Sequence, residues 1–145
     1  MKRFCSLFLL LLILILHGCA VNNFADITPA PDAIESICFQ RTNIDKKNQY
    51  TYFEKTLTEP EDIKNFCNKL DKVKVIGIDP IKFSSVDYLI IFEGPRQHKL
   101  LVCQNEIIYD GIAYKINSGS LNDAISHIYN KLPQQEQPAT SKLFK

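Results

Sequence analysis

Between Val86 and Ile116 four strand candidates follow one another, "VDYLIIF", "HKLLVCQ", "EIIY" and "IAYKI", with only short joints between them. A parallel crossover takes a dozen or more residues, so joints this short force antiparallel neighbours. The last joint is Asp110-Gly111, a two-residue hairpin signal, because both residue types tolerate positive φ. In "VDYLIIF", Val86, Tyr88, Ile90 and Phe92 share one face, and Leu89 and Ile91 lie on the other. A run apolar on both faces reads as a central strand.

Upstream, "SICFQRT" and "QYTYFEKTL" flank the polar stretch 43–48 and read as a hairpin, and "VKVIGI" is a further strand candidate. Two helices interrupt the strands. Thr58 with Glu61 three residues on forms a capping-box pattern, and Pro60 falls in the first turn, where a missing amide donor costs nothing. Ile63, Phe66, Cys67 and Leu70 then repeat at the spacing of one helix face. A second stripe, Leu121, Ala124, Ile125, Ile128 and Leu132, begins after a Ser120 cap and is closed by Pro133. Each helix has one apolar face and needs a flat partner. The sequence therefore predicts an α+β domain: a largely antiparallel sheet of about five to six strands, two helices on one face, order ββ-α-ββββ(β)-α. Tyr50, Tyr52, Tyr88, Tyr109 and Tyr114 all fall in strand candidates, and cross-strand packing of these rings is expected over an exposed aromatic surface.

The N-terminus has a different character. Lys2 and Arg3 precede an apolar stretch from Phe4 to Leu16, broken only by Ser6. Thirteen helical residues span about 20 Å, short of a hydrocarbon core of about 30 Å. The stretch is thus the h-region of a signal peptide rather than a permanent span. Leu16-His17-Gly18-Cys19 follows, and it resembles the lipobox of bacterial lipoproteins: a branched apolar residue, a variable one, a small one, then the acceptor cysteine. The resemblance implies cleavage between Gly18 and Cys19, with palmitate-type acyl chains attached to the new N-terminal Cys19. His17 is bulkier than the small residues common at its place. Ala20 is not the acidic residue that favours inner-membrane retention, so the implied address is the outer membrane, facing the periplasm of the cell envelope.

The resulting division is a signal peptide over 1–18, a lipidated N-terminus and flexible tether over 19–35, a small α+β domain over 36–132, and a disordered polar tail over 133–145. The tether reading rests on Pro29-Ala-Pro31 and the lack of any period; sixteen flexible residues give a mean reach of about 22 Å.

Charge and cysteine usage narrow the function. The chain has 17 basic and 16 acidic side chains; losing Lys2 and Arg3 leaves 15 against 16, a net charge of −1. Nucleic-acid binding needs a concentrated basic surface, and none is expected here. Cys38, Cys67 and Cys103 show no metal-like spacing, and they read either as one disulfide plus a thiol or as three small buried hydrophobes. His98, in a polar turn, and His127, off the apolar helix face, read as solvated. Glu59, Glu61 and Asp62 suit a helix start without catalysis. No phosphate loop or nucleophile elbow is present. No catalytic residue, metal or cofactor is therefore expected. The expected function is a non-catalytic binding or accessory module, held to the bilayer by Cys19 and meeting another envelope protein. The alternative is an inhibitor or immunity-type protein that captures a periplasmic enzyme; a small hydrolase ranks below both.

Overall fold

The computed structural model describes residues 23–44, 50–78, 86–103, 106–117 and 121–139. They form one eight-stranded sheet with two helices. The strands are β1 (Ser36–Ile44), β2 (Tyr50–Leu57), β3 (Val75–Ile78), β4 (Tyr88–Glu93), β5 (His98–Cys103), β6 (Glu106–Tyr109), β7 (Ile112–Ile116) and β8 (Gln137–Ala139). The helices are α1 (Pro60–Leu70) and α2 (Leu121–Lys131). Strand order is β3-β7-β6-β5-β4-β1-β2-β8, and every pairing is antiparallel. Alternation along this order makes β2 parallel to β3 and β7 parallel to β8, each pair six positions apart. Each helix therefore carries the chain back across the sheet, and two crossovers of one hand between parallel strands lie on the same face.

The meander and the central place of β4 are as the sequence predicts, and Asp110 and Gly111 have φ of 46° and 89°. The strand count is corrected from five or six to eight. Part of the difference is β8, which lies in the stretch read as a polar tail. Its three residues pair with β2 through Tyr52↔Ala139, Phe53↔Pro138 and Glu54↔Gln137. Proline is tolerated there because an edge strand has a side that needs no donor. Arg41 Nη2 meets Glu136 Oε1 at 2.8 Å, and the Thr56 amide donates to Gln134 Oε1 at 3.1 Å, which fixes the approach to β8.

The chain is also docked well before Ser36. Asn23 bridges Lys74, Phe24–Asp26 and Pro31–Ala33 form single 3-10 turns, and Phe24 is fully buried. The Glu35 amide donates to the Glu93 carbonyl, and a Cβ at Gly94 would collide with the Ala33 carbonyl oxygen. Residues 23–35, read from sequence as tether, thus pack on the domain. Phe24 and Ile34 bury enough apolar surface to hold a segment with no period of its own.

The main core lies between the helices and one sheet face. Ile63, Phe66, Cys67 and Leu70 of α1 and Leu121, Ile125 and Tyr129 of α2 meet Ile37, Phe39, Ile90, Phe92, Leu100 and Val102. The N-cap of α1 is Glu59 and no side chain caps it, so the expected Thr58 capping box does not form; Pro60 occupies the first turn as predicted. Ser120 lies outside the described residues. On the opposite face a smaller cluster joins Cys38, Leu89 and Ile91, with Leu101 against it.

Candidate functional site

The apolar stripes of α1 and α2 turn toward the sheet, which leaves their polar flanks facing each other. Asp62, Asn65 and Lys69 recur at helical spacing on α1, and His127 and Lys131 are four apart on α2. Between them lies a groove of about 510 Å³ with Leu57, Ile128, Leu132 and Pro133 also in its wall. Lys69, Lys72 and Lys131 against Asp62 give the lining a charge of +2 with His127 neutral. An apolar wall edged by ammonium groups suits an acidic, partly apolar segment.

A second, smaller cleft of about 310 Å³ lies where α2 crosses β1 and β4, lined by Arg41, Thr42, Asp87, Tyr88, Asn122 and Ser126. Its chemistry is spent on the fold. The Tyr88 and Ser126 hydroxyls lie 3.3 Å apart, so Ser126 meets a phenol rather than a general base. Arg41 lies over the Tyr129 ring at 5.5 Å, and Lys55 Nζ lies 5.0 Å from the same ring. Lys55 also donates to the Tyr129 and Leu132 carbonyls at 3.0 and 3.1 Å, neutralising the negative end of α2. Burial, with Glu136 adding, pushes the Tyr129 phenol up to about 12.

His98 is not the solvated side chain its turn suggested. It opens β5, its Nδ1 lies 2.6 Å from Asp110 Oδ2, and its ring stacks on Tyr109 at 5.7 Å. Asp110 Oδ1 also accepts the Lys99 amide, so the carboxylate ties the β6–β7 turn to β5. Tyr88, Tyr109 and Tyr114 all belong to the helix-side core, in keeping with packing rather than an aromatic surface.

No disulfide joins Cys38, Cys67 and Cys103. Cys67 belongs to the helix-side core and Cys38 to the cluster on the opposite face, so the sheet separates them. Cys38 and Cys103 sit on β1 and β5 with β4 between, about 9.6 Å of strand spacing, beyond disulfide reach. Burial raises the Cys67 and Cys103 thiols to about 11, with Asp71 adding at the first and Asp87 and Glu106 at the second. At neutral pH both stay protonated and unreactive. The unfolded chain ionises these thiols near pH 9 while the folded chain holds its protons until about 11. Their stabilisation is therefore complete below pH 9 and is lost as pH rises to 11, on the order of 1–3 kcal/mol per thiol. Urea midpoints measured from pH 8 to 11 should fall over that window, and Cys67→Ala should flatten the fall.

Gly18 and Cys19 lie outside the described residues. Among those described, no group of three or more His, Cys, Asp or Glu side chains converges as a metal site, and no helix is long and apolar enough to cross a membrane. The groove lysines were not singled out by the sequence reading, although the i, i+3 and i+4 recurrence of polar residues on both helix flanks was available to it. Comparison with protein-family models, curated proteins and solved structures finds no match to this chain.

Proposed function

We propose that the protein is an envelope lipoprotein, anchored through acylated Cys19 and acting as a non-catalytic binding module for another envelope component. The observation that carries the anchoring is the placement of Leu16-His17-Gly18-Cys19 directly after an apolar stretch too short to span. Two or more acyl chains give stable attachment where one does not, at about 0.8 kcal/mol per buried methylene. The binding half draws on the groove between α1 and α2. Its walls offer apolar surface and an excess of two positive charges. A partner segment with acidic and apolar side chains complements it, at the outer membrane and on the periplasmic side.

Cys19→Ser is expected to move the protein from the membrane to the soluble fraction and to abolish fatty-acid labelling. Membrane attachment unchanged by that substitution would refute the anchoring. For the groove, Lys69→Glu with Lys131→Glu should remove a specific crosslinked partner in intact cells with only a small fall in the urea midpoint, because both side chains lie on the groove rather than in the core and lose only their favourable place in a helix's last turn. A crosslinking pattern unaltered by the double reversal would move the binding surface elsewhere.

A further inference from the structure

We propose that the β3 edge of the sheet is a second membrane contact, laid against the bilayer surface beside the lipid anchor; this rests on the acylation of Cys19 proposed above. Among the described residues, the exposed large hydrophobic side chains are Ile76 at 63%, Ile78 at 76% and Ile112 at 49%, and all three lie at this one edge. Ile78 pairs with Tyr114, and Ile112 stands two residues along β7 on the same face, so the two are diagonal neighbours. Ile76 falls at the register shift between Val75 and Gly77, where a bulged residue is re-aimed out of the ladder. Lys115 of β7 stands opposite Glu106 of β6, so the charge beside the patch on β7 is balanced. The contact is one of apolar area.

The occupant follows from where the anchor joins the domain. The Phe24 amide donates to the Val73 carbonyl, and the Asn117 amide donates to the Lys74 carbonyl. Successive carbonyls of an extended chain point to opposite sides, so Asn117, which follows β7, and Asn23 flank this strand on opposite sides. Asn23 is on the outer one. Its bridge to Lys74 sets it against the residue that immediately precedes β3. Four peptide steps separate Asn23 from Cys19, a reach of at most about 14 Å. Acyl chains on Cys19 therefore bring this edge to the headgroup region, where apolar side chains settle about 5–10 Å deep. A foreign strand is the poorer occupant, because Asn23 already occupies the outer side of the edge at Lys74.

The test uses the mature acylated protein in vesicles of phosphatidylethanolamine and phosphatidylglycerol. A polarity-sensitive dye is placed on Ile78→Cys and, as a distant control, on Gln135→Cys; the buried Cys38, Cys67 and Cys103 stay unlabelled. At position 78 the dye should shift to the blue and be quenched at least twofold by lipids spin-labelled near the headgroup, and at position 135 it should remain solvent-like. Quenching should survive 0.5 M salt and a twelve-residue Gly/Ser insertion after Val21. It should be lost when that insertion is combined with Ile76→Glu and Ile112→Glu. Solvent-like emission at position 78 in protein whose mass shows acylated Cys19 overturns the edge contact alone. An unmodified Cys19 overturns the anchoring reading and this one with it. Self-association without vesicles that Ile76→Glu abolishes would assign the edge to a second copy instead.

Discussion

Phe66→Ala is expected to lower the unfolding free energy by about 3–5 kcal/mol, the cost of losing a buried aromatic side chain and leaving a cavity behind. Phe66 is fully buried on α1, edge-on to Phe39 at 5.1 Å and stacked near Phe92 at 6.5 Å. Those two rings belong to β1 and β4, adjacent central strands, so one helix side chain keys α1 to the middle of the sheet. The neighbours cannot collapse inward, because Phe39 and Phe92 are held by the β1–β4 register, in which Ile37 pairs with Phe92 and Phe39 with Ile90. A domain of this size has a total stability of about 5–15 kcal/mol, so the variant should be partly unfolded near physiological temperature. Urea titration is the measurement. The midpoint should fall while the slope stays constant, and Phe66→Leu should recover most of the loss, its cost under about 1.5 kcal/mol. A loss below about 1 kcal/mol for the alanine variant would mean that α1 is not keyed by this ring.

The parts of the fold legible in the sequence are those whose pattern repeats within one element. The stripe Ile63, Phe66, Cys67 and Leu70 is buried as a set, and Asp110-Gly111 makes the turn its residue types favour. The α2 stripe was read less completely. Tyr129 is buried and Ile128 only half-buried: Tyr129 stands four residues after Ile125 and eight after Leu121 and shares their face, but its phenol hides it from a stripe of purely aliphatic residues. The missing pieces are short segments whose burial depends on partners far along the chain. β8 is three residues with a proline at its centre, and only the open side of β2 makes it a strand. Phe24 and Ile34 stand alone among prolines and polar residues, and a single apolar residue has no period to detect. The site divides the same way. Each flank of the α1–α2 groove is local to one helix, whereas His98 and Asp110 meet only because β5 and β6 bring their ends together. Helix capping failed for another reason: Thr58 offers the right hydroxyl, but Glu59 takes the cap position with Pro60 fixed behind it.

Phe24→Ala should separate the domain from its short attachment. Phe24 is fully buried, its ring meets Tyr109 edge-on at 6.2 Å, and its carbonyl accepts from the Ile27 and Thr28 amides. It is the largest apolar group holding residues 23–35 to the sheet, and removing it forfeits about 3–5 kcal/mol. A segment near a chain end answers such a loss by opening locally, so most of it should appear as undocking rather than global unfolding. About 3 kcal/mol is roughly two powers of ten in the opening equilibrium. Amide hydrogen exchange at positions 24–28 should accelerate by that order, while β4 and β5 stay protected. The functional effect follows from chain length. Once the segment peels away as far as Glu35, sixteen residues lie between Cys19 and Ser36, a flexible reach of about 22 Å in place of four extended steps. The β3 edge is then held to the headgroup region by Ile76, Ile78 and Ile112 rather than by a short tether, so a dye at position 78 should keep most of its quenching in Phe24→Ala and lose it when Ile76→Glu and Ile112→Glu are added. Unchanged exchange at 24–28 in the alanine variant would show that Ile34 and the backbone bonds hold the segment without the ring.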